Sequence, residues 1–163
     1  MRTLVTSVML CFATFTFAQE KAADFTLKNM KGEDVSLSDF TGKIVVIEWY
    51  ASWCKKCRAA FPEVKSFFNR LKTEYENDVV PLAINLDKKK LEKVAAFVKK
   101  QGIEYMTLHD PQGISGKDYN LKMLPLIVVI DKDGTIAKKF QGHKKGKTEK
   151  EIEKTIKSLI NKQ

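Results

Sequence analysis

The chain has 163 residues, which suits one domain with a sizeable core and is too short for two ordinary domains. Hydrophobic residues make up 44% and charged residues 30%, a balance that excludes a disordered chain and a membrane protein. The formal net charge is +9, and the basic residues are not interleaved with aromatic ones. We interpret them as a solvated basic surface, with a preference for acidic partners or a membrane surface as the alternative, and we expect no nucleic acid partner.

The first twenty residues, MRTLVTSVMLCFATFTFAQE, have the pattern of a secretory signal peptide. Arg2 gives a positive start, an apolar run follows, and Ala18 supplies the small residue before a cleavage site. We predict a signal peptide over residues 1–18 and one domain over residues 19–163, with an uncleaved anchor as the alternative. The expected location is extracytoplasmic, in the periplasm, where disulfide chemistry is normal.

The predicted elements begin with two short strand-like pieces around the turn KGED. A continuous apolar run over residues 44–49, broken only by Glu48, predicts a strand buried on both faces of a sheet. Apolar positions from residue 61 to residue 75 then predict an amphipathic helix, which Pro62 should kink.

The second half of the chain continues this alternation of strands and helices. VVPLAINL predicts a strand, and the next amphipathic helix ends at Gly102. LIVVI, the turn DKDG and TIAKKF predict a hairpin, and an apolar stripe ending at Ile160 predicts a closing helix. The order ββ-β-α-β-α-β-β-α predicts an α/β fold, with a central mixed sheet flanked by helices.

Cys54 and Cys57 form the motif CKKC where the buried strand gives way to the helix. A zinc site would need about two further ligands, which only His109 and His143 could supply. Haem attachment would need histidine where Arg58 stands. Redox chemistry remains, and it suits a helix N-terminus, whose partial positive charge stabilises a thiolate.

We therefore predict that Cys54 attacks a disulfide and that Cys57 resolves the mixed disulfide. Lys55 and Lys56 are expected to tune the ionisation of the thiol through their charge. The redox centre would be the Cys54–Cys57 disulfide itself, with no other cofactor and no metal. A peroxidase would need a different motif around its cysteine, whereas a dithiol oxidant and a Cys/His metal carrier stay open.

Several segments together resemble one known family. ADFTLKNMKGEDVSLSDFTGK, WYASWCKKC, the position of Pro62 and LPLIVVIDKDG are similar to the TlpA/ResA type of thioredoxin-like protein, a family of exported thiol–disulfide oxidoreductases. The resemblance implies a thioredoxin-like fold with an added N-terminal β-hairpin. It also implies a cis peptide bond at Pro125 opposite the dithiol, with Trp53 and Leu124 contacting the substrate.

The resemblance also implies partners and a direction. We expect exported protein substrates with disulfides or dithiols, an upstream membrane thiol donor, and a monomer. The family favours a reductase, with cytochrome c maturation as one setting. Two departures bear on substrate choice: Lys56 stands where the family has proline, and Leu124 and Leu126 make the flanks of Pro125 unusually apolar.

Glu48 is the one charged residue in its apolar strand, at the position where thioredoxins keep a buried aspartate. Burial in a sheet interior raises the pKa of a carboxyl group, because it disfavours the charged form. Such a group can take the proton of Cys57 as that thiol attacks. The alternative is that Glu48 lies on an open sheet face and forms a salt bridge with a lysine.

Overall fold

The computed structural model describes residues 20–162, so the predicted signal peptide lies outside it. One sheet of seven strands carries helices on both faces. The elements are β1 (Thr26–Asn29), β2 (Asp34–Ser36), a 3-10 turn (Leu37–Phe40), β3 (Ile44–Tyr50), α1 (Lys55–Glu74), β4 (Val79–Asn85), α2 (Leu91–Lys100), β5 (Met106–His109), α3 (Ile114–Asp118), β6 (Leu126–Ile130), β7 (Ile136–Gln141) and α4 (Thr148–Ile160).

The sheet has the strand order β2-β1-β5-β4-β3-β6-β7 and contains both parallel and antiparallel pairs. The predicted α/β class, the mixed sheet and the N-terminal hairpin are thereby confirmed. The helix α1 runs through Pro62. Among residues 20–162, no helix combines the length and the apolar character that crossing a membrane requires.

The central strand β3 is buried along its whole length, which explains its apolar run. It pairs in parallel with β4 on one side and antiparallel with β6 on the other. Because side chains alternate along a strand, Val46, Glu48 and Tyr50 share one face. That face packs against α1, α4 and Phe97 of α2, whereas the opposite face meets Tyr119 and the N-terminal segment.

Two elements were missed by the predicted order, β5 and α3. β5 is only four residues long, and α3 is a single turn of five, so neither shows a usable periodicity. Their role is structural, because β5 pairs in parallel with β4 and antiparallel with β1. The N-terminal hairpin therefore joins the main sheet through β5.

A buried hydrogen-bond chain fastens α3 to the end of β3. Asp110 accepts hydrogen bonds from the backbone N–H groups of Ile114 and Ser115, which begin α3. The Ser115 hydroxyl donates to Asp110 at 2.7 Å and accepts from the Trp49 indole N–H at 2.9 Å. These hydrogen bonds satisfy the buried indole N–H of Trp49, the residue before the last one of β3.

Candidate active site

Cys54 occupies the turn between β3 and α1, where it caps the helix. Its backbone is extended, and the N–H of Cys57 donates to the Cys54 sulfur at 3.1 Å. The sulfur thus takes the place that a serine or aspartate oxygen has at an ordinary N-cap. A negative charge on this sulfur is stabilised by that N–H group and by the positive end of a helix of 20 residues.

Cys57 lies one turn into α1 and is more deeply buried than Cys54. Burial raises the pKa of the Cys57 thiol well above its usual range, and the neighbouring Cys54 and the charge of Glu48 act in the same direction. Both cysteines are free thiols in this structure. Cys57 therefore stays protonated until a base removes its proton.

Glu48 lies at the centre of the sheet, between Ala83 of β4 and Ile127 of β6. It is 4% exposed and lines the same cavity, of about 200 Å³, as Cys57 and Phe97. Burial raises the pKa of Glu48 from 4.5 to about 8, and the negative charge of Glu149 adds to the shift. The hypothesis of a lysine salt bridge on an open sheet face is wrong, since this face is covered by helices.

Glu149 is a residue that the sequence reasoning missed. It stands in the first turn of α4, and its Oε1 lies 2.5 Å from Nε2 of His143. Its Oε2 is buried and has no hydrogen-bond partner within residues 20–162. The available signal was weak, because acidic residues are common at the start of any helix.

A second missed residue fixes the turn before the dithiol. Asp87, which follows β4, is buried, and its Oδ1 accepts a hydrogen bond from the Ser52 N–H at 2.9 Å. The Leu86 N–H donates to the Tyr50 carbonyl at 2.9 Å. The segment between β3 and Cys54 is thus held by the end of the neighbouring strand.

The peptide bond between Leu124 and Pro125 is cis, the geometry that the family resemblance implies. The Leu124 carbonyl oxygen lies 3.9 Å from the Cys54 sulfur, which places this loop against the dithiol. Trp53 is 65% exposed beside it. Lys55 and Lys56 are exposed on the first turn of α1, so solvent screens their charge.

The two histidines do not complete a metal site with the dithiol. Nε2 of His109 lies 2.8 Å from the Asp87 carbonyl oxygen, and His143 contacts Glu149. In the part of the chain that the structure describes, the one group of three candidate ligands is Glu63, His143 and Glu149, which includes neither cysteine. The geometry gives the metal-carrier hypothesis no support.

The assembled groups can exchange a dithiol for a disulfide. The structure brings together a capped sulfur, a buried thiol, a carboxyl group with a raised pKa and a cis-proline loop. Together they supply a nucleophile, a resolving group and a proton acceptor, which are the parts that the exchange needs.

Comparisons with known proteins agree with this chemistry. The sequence matches the AhpC/TSA family over residues 18–139. It is 31% identical to the thiol-disulfide oxidoreductase ResA of Geobacillus kaustophilus, over 98% of this chain and 94% of that protein.

Solved structures show the same fold. A Chlorobium tepidum protein described as a thiol:disulfide interchange protein DsbE superposes with a TM-score of 0.76 at 29% identity, over 87% of this chain and 96% of that one. The exposed lipoprotein thioredoxin of Streptococcus pneumoniae does so with a TM-score of 0.68 at 29% identity, over 84% and 100%. The thioredoxin-like fold is thereby confirmed, and the chain belongs to the AhpC/TSA family as a thiol–disulfide oxidoreductase of the ResA type.

Proposed function

We propose that this protein is an exported reductase that transfers two electrons from Cys54 and Cys57 to disulfides of other extracytoplasmic proteins. The observation that supports it most strongly is the shared cavity of Glu48 and Cys57 beside the capped Cys54 sulfur. One cavity holds both the thiol that must lose its proton and a group able to accept it.

The first step is attack by the Cys54 thiolate on one sulfur of the substrate disulfide. A bond forms between the two sulfurs, and the second substrate sulfur leaves as a thiolate. Trp53 and Leu124 flank Cys54 and would contact the substrate, with the Leu124–Pro125 loop offering its backbone for pairing.

The second step releases the substrate. Glu48, as a carboxylate, takes the proton of Cys57, directly or through a water in the cavity. The Cys57 sulfur then attacks Cys54, so that the Cys54–Cys57 disulfide forms as the bond between Cys54 and the substrate breaks. The two substrate thiolates take up protons, and the substrate leaves as a dithiol. The protein has lost two electrons and needs an external thiol donor, which we propose to be a membrane protein.

The direction of transfer depends on how far the reduced pair is stabilised. In strongly oxidising members of the superfamily, the reduced form is stabilised. Here burial holds Cys57 as a neutral thiol, so Cys54 is the sulfur of the reduced pair whose negative charge the helix N-terminus stabilises. The family resemblance favours a reductase, and this is the direction that we propose.

The proposed location is the extracytoplasmic side of the membrane, in the periplasm. The N-terminal sequence pattern supports export. The similar Streptococcus pneumoniae protein is described as an exposed lipoprotein. Cytochrome c apoprotein is one substrate that fits this setting.

The reduction potential of the Cys54–Cys57 pair tests the direction. Because the family resemblance favours a reductase, we expect a value closer to the roughly −270 mV of reducing thioredoxins than to the roughly −120 mV of strong oxidants. Equilibration with dithiothreitol buffers and thiol alkylation measure it. A value near that of the oxidants would assign the opposite direction.

The Cys57→Ser variant tests the roles of the two cysteines. Without the resolving thiol, the mixed disulfide on Cys54 should persist and accumulate with envelope proteins. Non-reducing electrophoresis of cell-envelope extracts detects these adducts, and Cys54→Ser, the matched control, should form none. Equal trapping by both variants would contradict the assigned order of attack.

The Glu48→Gln variant tests the proton acceptor. Since only the carboxylate accepts a proton, the resolution rate of the wild type should rise about tenfold per pH unit below pH 8 and level off above it. Rapid acid quench with mass spectrometry follows the mixed disulfide and the oxidised protein separately. In Glu48→Gln resolution should be slower, and its rate should keep rising above pH 8 because Cys57 must then lose its proton to hydroxide, while the initial attack changes little.

Two further glutamate variants serve this test as comparators. Glu149→Gln removes the charge that adds to the raised pKa of Glu48, so the midpoint of the profile should move to lower pH. Glu151→Gln, two residues along α4 and paired with Lys138 at the surface, should leave it in place. A wild-type profile that is retained in Glu48→Gln rules out the proton role.

A further inference from the structure

A groove of about 580 Å³ opens beside the dithiol, between α1 and the loop that joins β7 to α4. We refer to it as the α1–β7 groove. Its lining includes Lys56, Ala60, Met123, His143, Lys144 and Lys145. Small and apolar side chains therefore meet three lysines in one concave surface.

Two residues of the groove lining are close along the chain to active-site residues. Lys56 stands between the two cysteines, and Met123 lies two residues before the cis-proline. An extended chain advances about 3.3 Å per residue, so a polypeptide joined to Cys54 reaches the groove within a few residues of its own cysteine. The groove thus lies where the flanking sequence of a substrate would pass.

The charge of the groove is positive and largely uncompensated. Lys56 and Lys144 are exposed and form no salt bridge within the described part of the chain. Lys145 lies 3.6 Å from Glu63, the one acidic residue of the lining. Glu63 also faces His143 at 3.7 Å, so its charge is already shared. A ligand that complements this surface carries several negative charges.

The loop that carries two of these lysines is fixed in place. The Gly142 N–H donates to the Pro125 carbonyl at 2.8 Å, and the Lys144 N–H donates to the Thr148 hydroxyl at 2.9 Å. His143, whose side chain is 8% exposed, bonds Glu149 of α4. The backbone beneath the lysines is therefore preorganised, which lowers the entropic cost of binding.

We propose that the α1–β7 groove binds an acidic stretch next to the reactive cysteine of the substrate, and so selects protein substrates with acidic flanks. The inference rests on the proposed function, since it concerns the substrate of that same site. A concave surface with an apolar floor suits a peptide better than it suits an anionic membrane, which is flat.

Three synthetic peptides test this preference. Each has one cysteine in a mixed disulfide with neutral 2-mercaptoethanol, flanked on both sides by three residues of Glu, Gln or Lys. Acid quench and chromatography give the rate at which the reduced protein cleaves each disulfide. Rates with dithiothreitol correct for the intrinsic reactivity of the peptides.

At low ionic strength the Glu peptide should react about tenfold faster than the Lys peptide, with the Gln peptide between them. The difference should fall below about twofold in 1 M salt, where the Debye length is about 3 Å. The double variant Lys144→Gln/Lys145→Gln should reduce the tenfold preference to about threefold, and Lys56 would account for the remainder.

The matched control is Lys154→Gln/Lys162→Gln, which removes the same amount of charge. Lys154 is exposed in α4, and Lys162 is exposed just after the end of α4. This control should keep the tenfold preference. An equal loss of preference in both double variants would assign it to net charge and overturn the inference.

Two other outcomes also decide the matter. Equal rates on all three peptides would leave a working reductase and overturn the acidic-substrate inference, whereas cleavage of no peptide would overturn the proposed function and this inference with it. Vesicles of anionic phospholipid at 0.15 M salt probe the other anionic surface. If the protein sediments with these vesicles only when Lys144 and Lys145 are present, and cleaves all three peptides at equal rates, that result would assign the two lysines to membrane binding instead.

Discussion

The burial of one carboxyl group beside one buried thiol is the constraint on which the site depends. Glu48 sits at the middle of the central strand, under helices, where its charged form is poorly solvated. A stable core would favour an apolar residue there, so its presence points to function. The burial that makes Glu48 costly also raises the pKa of Glu48 into the range where it can exchange a proton with Cys57.

The surrounding fold keeps the two sulfurs in different environments. Cys54 caps α1 and is 8% exposed, whereas Cys57 is 4% exposed and lines a cavity together with Glu48. α4 contributes Glu149, whose charge raises the pKa of Glu48, and His143 ties that glutamate to the loop bearing Lys144 and Lys145. Proton transfer and substrate contact therefore share one supporting element.

Much of this site could be predicted from sequence, because its central parts are local. A charge inside an apolar run identifies Glu48, and the strand-to-helix transition at CKKC identifies the nucleophile. What was missed depends on tertiary packing. β5 and α3 are too short to show periodicity, and Glu149 approaches Glu48 only because α4 packs on the same face of the sheet. The spacing of residues along the sequence cannot predict that Glu149 lies near Glu48.

The central claim is that Glu48 is a neutral acid at the pH where other carboxyl groups are charged. A carbon-13 NMR titration of side-chain carboxyl groups in the reduced protein tests it most directly, with the Glu48 resonance assigned by its loss in Glu48→Gln. The account predicts a midpoint at about pH 8. A midpoint near the ordinary value of 4.5 would contradict it.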